Sequence, residues 1–121
     1  MEFYYHELDP SVLLLSADGG LNADTSREFV GQLESLIDAG VDKIIVDCSR
    51  LEYISSYGVG MMLRLSKKLA ARGGEVKFAG VKSKVLGVLS VLHMNDRFAM
   101  YPDVDQARLA FRPRENQPPL A

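Results

Sequence analysis

The chain has 121 residues, of which 47% are hydrophobic and 25% are charged, and its formal net charge is −2. This length is enough for one domain with one core, and the charge balance gives no electrostatic footprint for nucleic acid. No apolar run approaches the roughly 20 residues that a membrane-spanning helix needs, and the first residues lack the basic and apolar blocks of a signal peptide. We therefore expect a protein of the cytoplasm without membrane insertion.

The residues that most often hold metals or carry redox chemistry are sparse. His6 and His93 are far apart and have no cysteine or carboxylate at ligand spacing, so no metal site or other cofactor is predicted. Cys48 is the single cysteine and cannot form an internal disulfide, which fits a reducing compartment. We interpret it as a small buried core residue rather than a redox thiol.

The chain begins with two short segments that have the pattern of strands. Residues 3–8 are the first, Asp9-Pro10 is a turn signal, and residues 12–15 are the second. Residues 17–20 (Ala-Asp-Gly-Gly) are predicted to close the second strand with a loop. A strand, a short turn and another strand predict an antiparallel pair.

Residues 22–39 follow with apolar side chains at intervals of three and four, which predicts an amphipathic helix. Asn22 or Asp24 can cap this helix, and Thr25 followed by Glu28 also has the spacing of a capping box.

Helices and strands alternate in the rest of the chain. The predicted elements are a strand at 43–47, a helix at 56–72, a strand at 75–79, a helix at 82–94, a short strand at 98–101 and a helix at 103–111. This order predicts one α/β domain at residues 1–111, with a mixed sheet that has an antiparallel N-terminal pair and about four helices packed against it. Residues 112–121 are polar and proline-rich, so we predict a disordered tail.

The helix at 56–72 has apolar or polarisable residues on two sides. At about 100° per residue, a core face centred on Val59 also contains Met62, Leu63, Ser66, Leu69 and Ala70. Tyr57 and Met61 fall nearly opposite, in the sector of Arg64 and Lys68, with Leu65 on its border. Clustered exposed apolar residues often mark a partner surface. The alternative is that a neighbouring loop or the tail of the chain covers them.

The start of the same helix carries two adjacent hydroxyl side chains, Ser55 and Ser56. One serine is explained as a helix cap, whereas Gly58 and Gly60 cost about 1 kcal/mol each relative to alanine and allow another backbone to approach closely. A helix start has unpaired N–H groups and partial positive charge, so it tolerates a phosphate. A phosphate would add about 1.5 to 2 negative charges. We therefore predict that an outside enzyme phosphorylates a serine here. The added phosphate would repel a docked partner without a large conformational change.

Residues 54–60 (Ile-Ser-Ser-Tyr-Gly-Val-Gly), which follow the strand at 43–47, resemble the signature of STAS domains and, within them, of bacterial anti-sigma factor antagonists. The resemblance extends from about Phe3 to Phe111. It implies that the unphosphorylated protein binds an anti-sigma factor that is also a serine kinase of the histidine-kinase-like ATPase fold. Phosphorylation ends that complex, and a phosphatase of the PP2C type restores it.

Aligned on Gly58, the phospho-acceptor of the family falls on Ser56, and Ser55 is the second choice. The chain departs from many antagonists at three positions: Ser55 replaces an aspartate, Tyr57 replaces Ser or Thr, and Asn22 replaces an aspartate near the docking surface. The helix projection and the resemblance together predict the partner-binding residues Asn22, Asp24, Ser55, Tyr57, Gly58, Met61, Arg64, Leu65 and Lys68.

Three other functions are alternatives to this prediction. A serine hydrolase would need a base and an orienting carboxylate, but Gly-x-Ser-x-Gly is absent and His93 has no evident route to Ser56, so no enzyme is predicted. A nucleotide-binding module is the second alternative, although Gly58-x-Gly60 lacks the lysine and the third glycine of known phosphate loops. The third is a STAS scaffold or transporter-associated subunit that is never phosphorylated.

Overall fold

The computed structural model describes the backbone of residues 2–9 and 12–115 and the side chains of residues 12–111. Its elements are β1 (Glu2–Asp9), β2 (Val12–Leu21), α1 (Ala23–Asp38), β3 (Lys43–Ile54), α2 (Ser56–Ala71), β4 (Glu75–Ala79), α3 (Ser83–Val91), a 3₁₀ helix (Asn95–Arg97), β5 (Met100–Tyr101) and α4 (Val104–Glu115). The strands form one five-stranded sheet in chain order. β1 is antiparallel to β2, and the pairs β2–β3, β3–β4 and β4–β5 are parallel. The α/β class predicted from the sequence is confirmed.

The sheet is covered by helices on both faces because successive side chains of a strand point to opposite sides. In β3, Ile44 and Val46 contact the larger core beneath α1, α2 and α3, whereas Ile45 belongs to a smaller cluster with Ala107 and Phe111 of α4. This alternation explains why the first half of β3 is apolar throughout. It also separates the molecule into a three-helix side and an α4 side.

β2 and β3 are longer than the sequence pattern predicts. The prediction of a loop at residues 17–20 is wrong, because β2 continues to Leu21 beside the second half of β3. The register shifts between Ser16 and Asp18 and again between Gly19 and Gly20, where irregular pairing accommodates the glycines. Gly19 has a φ of 114°, a conformation that glycine adopts without a steric penalty. Long-range pairing therefore overrides the local turn signal.

The C-terminal elements differ from prediction mainly in their ends. α3 is shorter than the predicted helix at 82–94, and His93 beyond it has a left-handed φ of 56°. β5 contains only Met100 and Tyr101. α4 continues to Glu115, into the segment predicted to be a disordered tail, and residues 116–121 lie outside the described residues.

A buried cation joins α4 to the sheet. The side chain of Lys77 is 4% exposed, and its Nζ lies 2.6 Å from a carboxylate oxygen of Glu75. The same ammonium lies 4.5 Å from the ring centre of Phe111 and 5.3 Å from that of Tyr101. Aromatic faces and a carboxylate together compensate for the loss of water around the charge.

Cys48 is buried in the larger core, as predicted. Burial, with a smaller effect of the Asp47 charge, raises the pKa of its thiol to about 12. The thiol is therefore neutral at pH 7 and unsuited to nucleophilic chemistry.

Among the described residues, no group of three His, Cys, Asp or Glu side chains could hold a metal ion. None of the helices in this part of the chain has the length and apolar character that a membrane span requires.

Candidate partner-docking site

The starts of α1 and α2 lie side by side because β2 and β3 are neighbouring parallel strands. Leu21 at the end of β2 pairs with Ile54 at the end of β3. The next residues, Asn22 and Ser55, are the N-caps of α1 and α2. The Ser55 N–H donates to the Leu21 carbonyl at 2.8 Å, which fixes one helix start against the other strand end. Both helices therefore begin at the same end of the sheet, where β2 and β3 end.

Asn22 forms the cap of α1 together with Thr25. The Thr25 N–H donates to Asn22 Oδ1 at 3.0 Å, and the Asn22 N–H donates to Thr25 Oγ1 at 2.9 Å. The alternative of a capping box between Thr25 and Glu28 is wrong, because the Thr25 hydroxyl already accepts from Asn22. Asn22 is exposed, but its side-chain oxygen is held within its own helix start.

The two serines at the start of α2 have different environments. Ser55 is partly buried, and its Oγ accepts a hydrogen bond from the Gly58 N–H at 3.0 Å. Ser56 is the first residue of α2 and is exposed, and its hydroxyl makes no hydrogen bond with another described residue. The cap function therefore belongs to Ser55, and the hydroxyl of Ser56 is free to react.

Replacing Ser55 with alanine is expected to lower the free energy of unfolding by about 1 kcal/mol, because the Gly58 N–H loses its partner. Ser55→Asp keeps the cap and adds negative charge to a helix start that has no acidic residue in its first turn. We expect Ser55→Asp to be at least as stable as the wild type in urea denaturation. Equal losses for the alanine and aspartate variants would contradict the capping role.

Gly58 allows close packing within the chain rather than the approach of a partner. A Cβ at this position would lie 2.9 Å from Ile54 Cγ1, 2.9 Å from Ser26 Oγ and 3.0 Å from the Leu21 carbonyl oxygen. Gly58 is buried, so its predicted direct contact with a partner is corrected. Ser26 is 1% exposed, and its hydroxyl has no hydrogen-bond partner among the described residues.

An exposed aromatic side chain lies next to Ser56. Tyr57 is 43% exposed, and the guanidinium carbon of Arg27 lies 5.8 Å from the centre of its ring. Arg27 also pairs with Asp24 at 2.7 Å, so α1 and α2 share a mixed aromatic and charged surface. The sequence interpretation included Tyr57 and Asp24 but missed Arg27, although its spacing of three from Asp24 is a signal for an ion pair on one helix.

The orientation of α2 differs from the helix projection. Leu65, which was assigned to the border of the partner-facing sector, is 0% exposed in the core, and Met61 is half-buried and packs against the same core. Ala70, which was assigned to the core face, is exposed. The buried residues Val59, Met62, Leu65 and Leu69 centre the core face roughly 65° away from Val59. The projection is wrong in this respect because α2 packs against α1 as well as against the sheet.

Arg64 and Lys68 form ion pairs within the chain. Arg64 lies 3.8 Å from Glu34, and Lys68 lies 3.4 Å from Asp38 and 4.0 Å from Glu34. Arg72 extends this set with a 3.0 Å contact to Asp38. These pairs join α1 to α2, and exposed pairs of this kind contribute little each.

A shallow groove of about 360 Å³ separates the start of α2 from α3. It is lined by Ser56, Lys84, Gly87, Val88, Val91 and Leu92. Val91 is 78% exposed, the largest exposure of any large hydrophobic side chain among the described residues. The sequence interpretation missed this side of Ser56. A projection of α3 would have found Val91, because it lies opposite the buried Val85 and Leu89.

The chain is similar in sequence and in fold to known proteins. The chain is 26% identical over 101 residues (84% of this chain and 87% of the relative) to a protein that carries the provisional name anti-sigma factor antagonist BtrV, from Bordetella bronchiseptica. The crystal structure of a Thermotoga maritima protein, provisionally named an anti-sigma factor antagonist, matches with a TM-score of 0.83 at 23% identity, covering 91% of this chain and 94% of that one.

The anti-sigma factor antagonist SpoIIAA in its unphosphorylated form matches with a TM-score of 0.77 at 19% identity, over 92% of this chain and 96% of that one. At this identity the two structures show a shared fold. The STAS domain family model matches residues 6–107. Because that match covers most of the sequence, the chain belongs to the STAS domain family.

Proposed function

We propose that this protein is an anti-sigma factor antagonist of a partner-switching pathway. In its unphosphorylated form it binds an anti-sigma factor that is a serine kinase of the histidine-kinase-like ATPase fold. Phosphorylation of Ser56 ends this complex, and a PP2C-type phosphatase restores it. The names of the similar proteins support the class of function.

The observation that carries the proposal is the contrast between the two serines. Ser56 is exposed at the first position of α2 and its hydroxyl has no hydrogen-bond partner among the described residues, whereas the Ser55 side-chain oxygen caps the helix. A kinase can reach Ser56 without breaking a native contact. The helix start also favours the added negative charge.

The reaction needs little from this chain beyond access. The Ser56 oxygen forms a bond to the γ-phosphorus of ATP, the bond from that phosphorus to the bridging oxygen breaks, and ADP leaves. The hydroxyl proton passes to a base of the kinase. In the reverse direction the phosphatase uses water to release inorganic phosphate, and the serine oxygen regains a proton.

The surface around Ser56 supports a switch in binding. On one side lie Tyr57, Arg27 and Asp24, with Met61 and Arg64 further along α2. On the other side lies the groove with Val91. A partner that packs against both sides must bury the Ser56 hydroxyl between them. A phosphate there would be desolvated at high cost and would repel acidic groups of the partner.

The test uses the histidine-kinase-like ATPase of the same organism and measures phosphorylation and binding separately. With ATP, we expect mass spectrometry to find one added phosphate on Ser56 and none in Ser56→Ala. By calorimetry, the kinase in its ADP-bound form should bind the wild type and Ser56→Ala similarly. It should bind the Ser56-phosphorylated protein at least about tenfold more weakly.

Ser55→Asp is the matched control, since it keeps the cap and leaves Ser56 in place. It should still accept phosphate on Ser56. Equal affinity of the phosphorylated and unphosphorylated forms would overturn the proposal. Capture of transporter subunits instead of such a kinase from the native cell would favour the scaffold function.

A further inference from the structure

Lys84 lines the same groove as Ser56, and its side chain makes no ion pair or hydrogen bond with another described residue. It is an exposed residue of α3 that borders the same groove as Ser56. The pKa of the Glu52 carboxyl is lowered by its hydrogen bond to Lys82 and by the charge of Lys82. The charge of Lys84 lowers it further to a smaller extent, so that charge acts at the end of β3. Glu52 lies near the end of β3, four residues before Ser56, so the groove and the effect on Glu52 both place the ammonium on this side of the molecule.

The other cations near Ser56 are already paired. Lys82 is hydrogen-bonded to Glu52. Arg27 donates to Asp24 at 2.7 Å and lies over the ring of Tyr57. Within the described part of the chain, Lys84 is therefore the cation at this groove that can move toward a new anion without losing a partner.

We propose that a phosphate on Ser56 pairs with Lys84 across the groove, and that the lysine stem then covers the apolar side chain of Val88. The inference rests on the proposed function, because it describes what phosphorylation of the same serine does. Modification would then act twice. It would add charge where a partner docks, and it would hold the lysine side chain over Val88.

A lysine side chain has the reach for this role. Its flexible four-carbon stem packs readily on apolar surface while the ammonium stays in water. Val88 lies one helical turn after Lys84 on α3 and lines the groove, so it supplies that surface. Lysine binds phosphate as a point charge, so no fixed geometry is required of the groove.

The experiment uses the full chain with phosphoserine incorporated at position 56 during translation, so that it does not depend on any kinase. Titration followed by ³¹P NMR gives the second pKa of the phosphate in the wild type, in Lys84→Gln and in Lys67→Gln. Lys67 is an exposed lysine of α2 about three turns from Ser56 and serves as the control. The helix start affects all three proteins equally, so the comparison isolates the lysine.

We expect the phosphate pKa to be about 0.5 lower in the wild type and in Lys67→Gln than in Lys84→Gln, as for an exposed ion pair. The difference should largely disappear in 1 M NaCl. A paramagnetic probe in solvent should reach the Val88 methyl groups less in the phosphorylated wild type than in phosphorylated Lys84→Gln.

Equal pKa values in the wild type and Lys84→Gln would overturn the pairing, and so would an increase as large in Lys67→Gln as in Lys84→Gln. Either result leaves the proposed switch in partner binding intact, because the calorimetric test measures that separately. Conversely, undiminished partner binding by the phosphorylated protein would overturn the proposed function, whatever the titration gives.

Discussion

Gly58→Ala is expected to lower the free energy of unfolding by about 2 kcal/mol. The new Cβ would enter a space in which Ser26 Oγ, Ile54 Cγ1 and the Leu21 carbonyl oxygen lie within 3.0 Å. Two of these groups are held by the α1 start and by the end of β2, so relief requires α2 to shift. Overpacking of this kind costs about 1 to 3 kcal/mol. Urea denaturation monitored by circular dichroism would measure the loss.

Gly60→Ala is the matched control for this prediction. A Cβ at Gly60 meets nothing within 4 Å, so alanine there should stabilise α2 by about 0.5 to 1 kcal/mol. Ser26→Ala removes a buried hydroxyl without a partner and should be neutral or stabilising. In the Gly58→Ala background it should recover part of the loss. If Gly58→Ala and Gly60→Ala had the same effect, the close packing of the two helix starts would be disproved.

Leu65→Ala is expected to cost about 2 to 5 kcal/mol, because the side chain is fully buried in the larger core between α2 and the sheet. Thermal and urea unfolding would both register this loss. The effect would be one of stability. Any loss of partner binding should therefore disappear at temperatures where the variant remains folded.

The neighbouring Arg64→Ala supplies the comparison. Arg64 is exposed and lies 3.8 Å from Glu34, so its removal should change the free energy of unfolding by less than about 0.5 kcal/mol. A small effect at Leu65 together with weakened binding by the folded variant would return this residue to the partner surface.

The order of elements could be predicted from the sequence because each helix and strand has a clear local pattern. Residues 75–79 were predicted as a strand with the bounds that β4 has, and α2 begins at Ser56 as predicted. The extension of β2 through Gly19 and Gly20 could not be predicted. It depends on pairing with β3, a partner distant in sequence, while the local residues signal a turn.

The candidate site was predictable in position but only partly in composition. The adjacent Ser55 and Ser56 mark a helix start, yet which of them is the cap depends on where β3 ends, and element ends are poorly defined by local pattern. The predicted core face of α2 differs from the observed one because a helix projection contains no information about α1, which packs beside α2. Lys84 and Val91 come from α3, and only the tertiary fold brings them to Ser56.

Because α4 covers the face of the sheet opposite to α1, α2 and α3, a label there would not obstruct Ser56. Leu109 is 43% exposed on α4, and replacing it with cysteine would create an accessible thiol. The native Cys48 is buried, with its pKa raised to about 12, and would not compete for a maleimide at neutral pH. A surface tether or a fluorophore can therefore be attached on the α4 side, which leaves the docking surface exposed to solution.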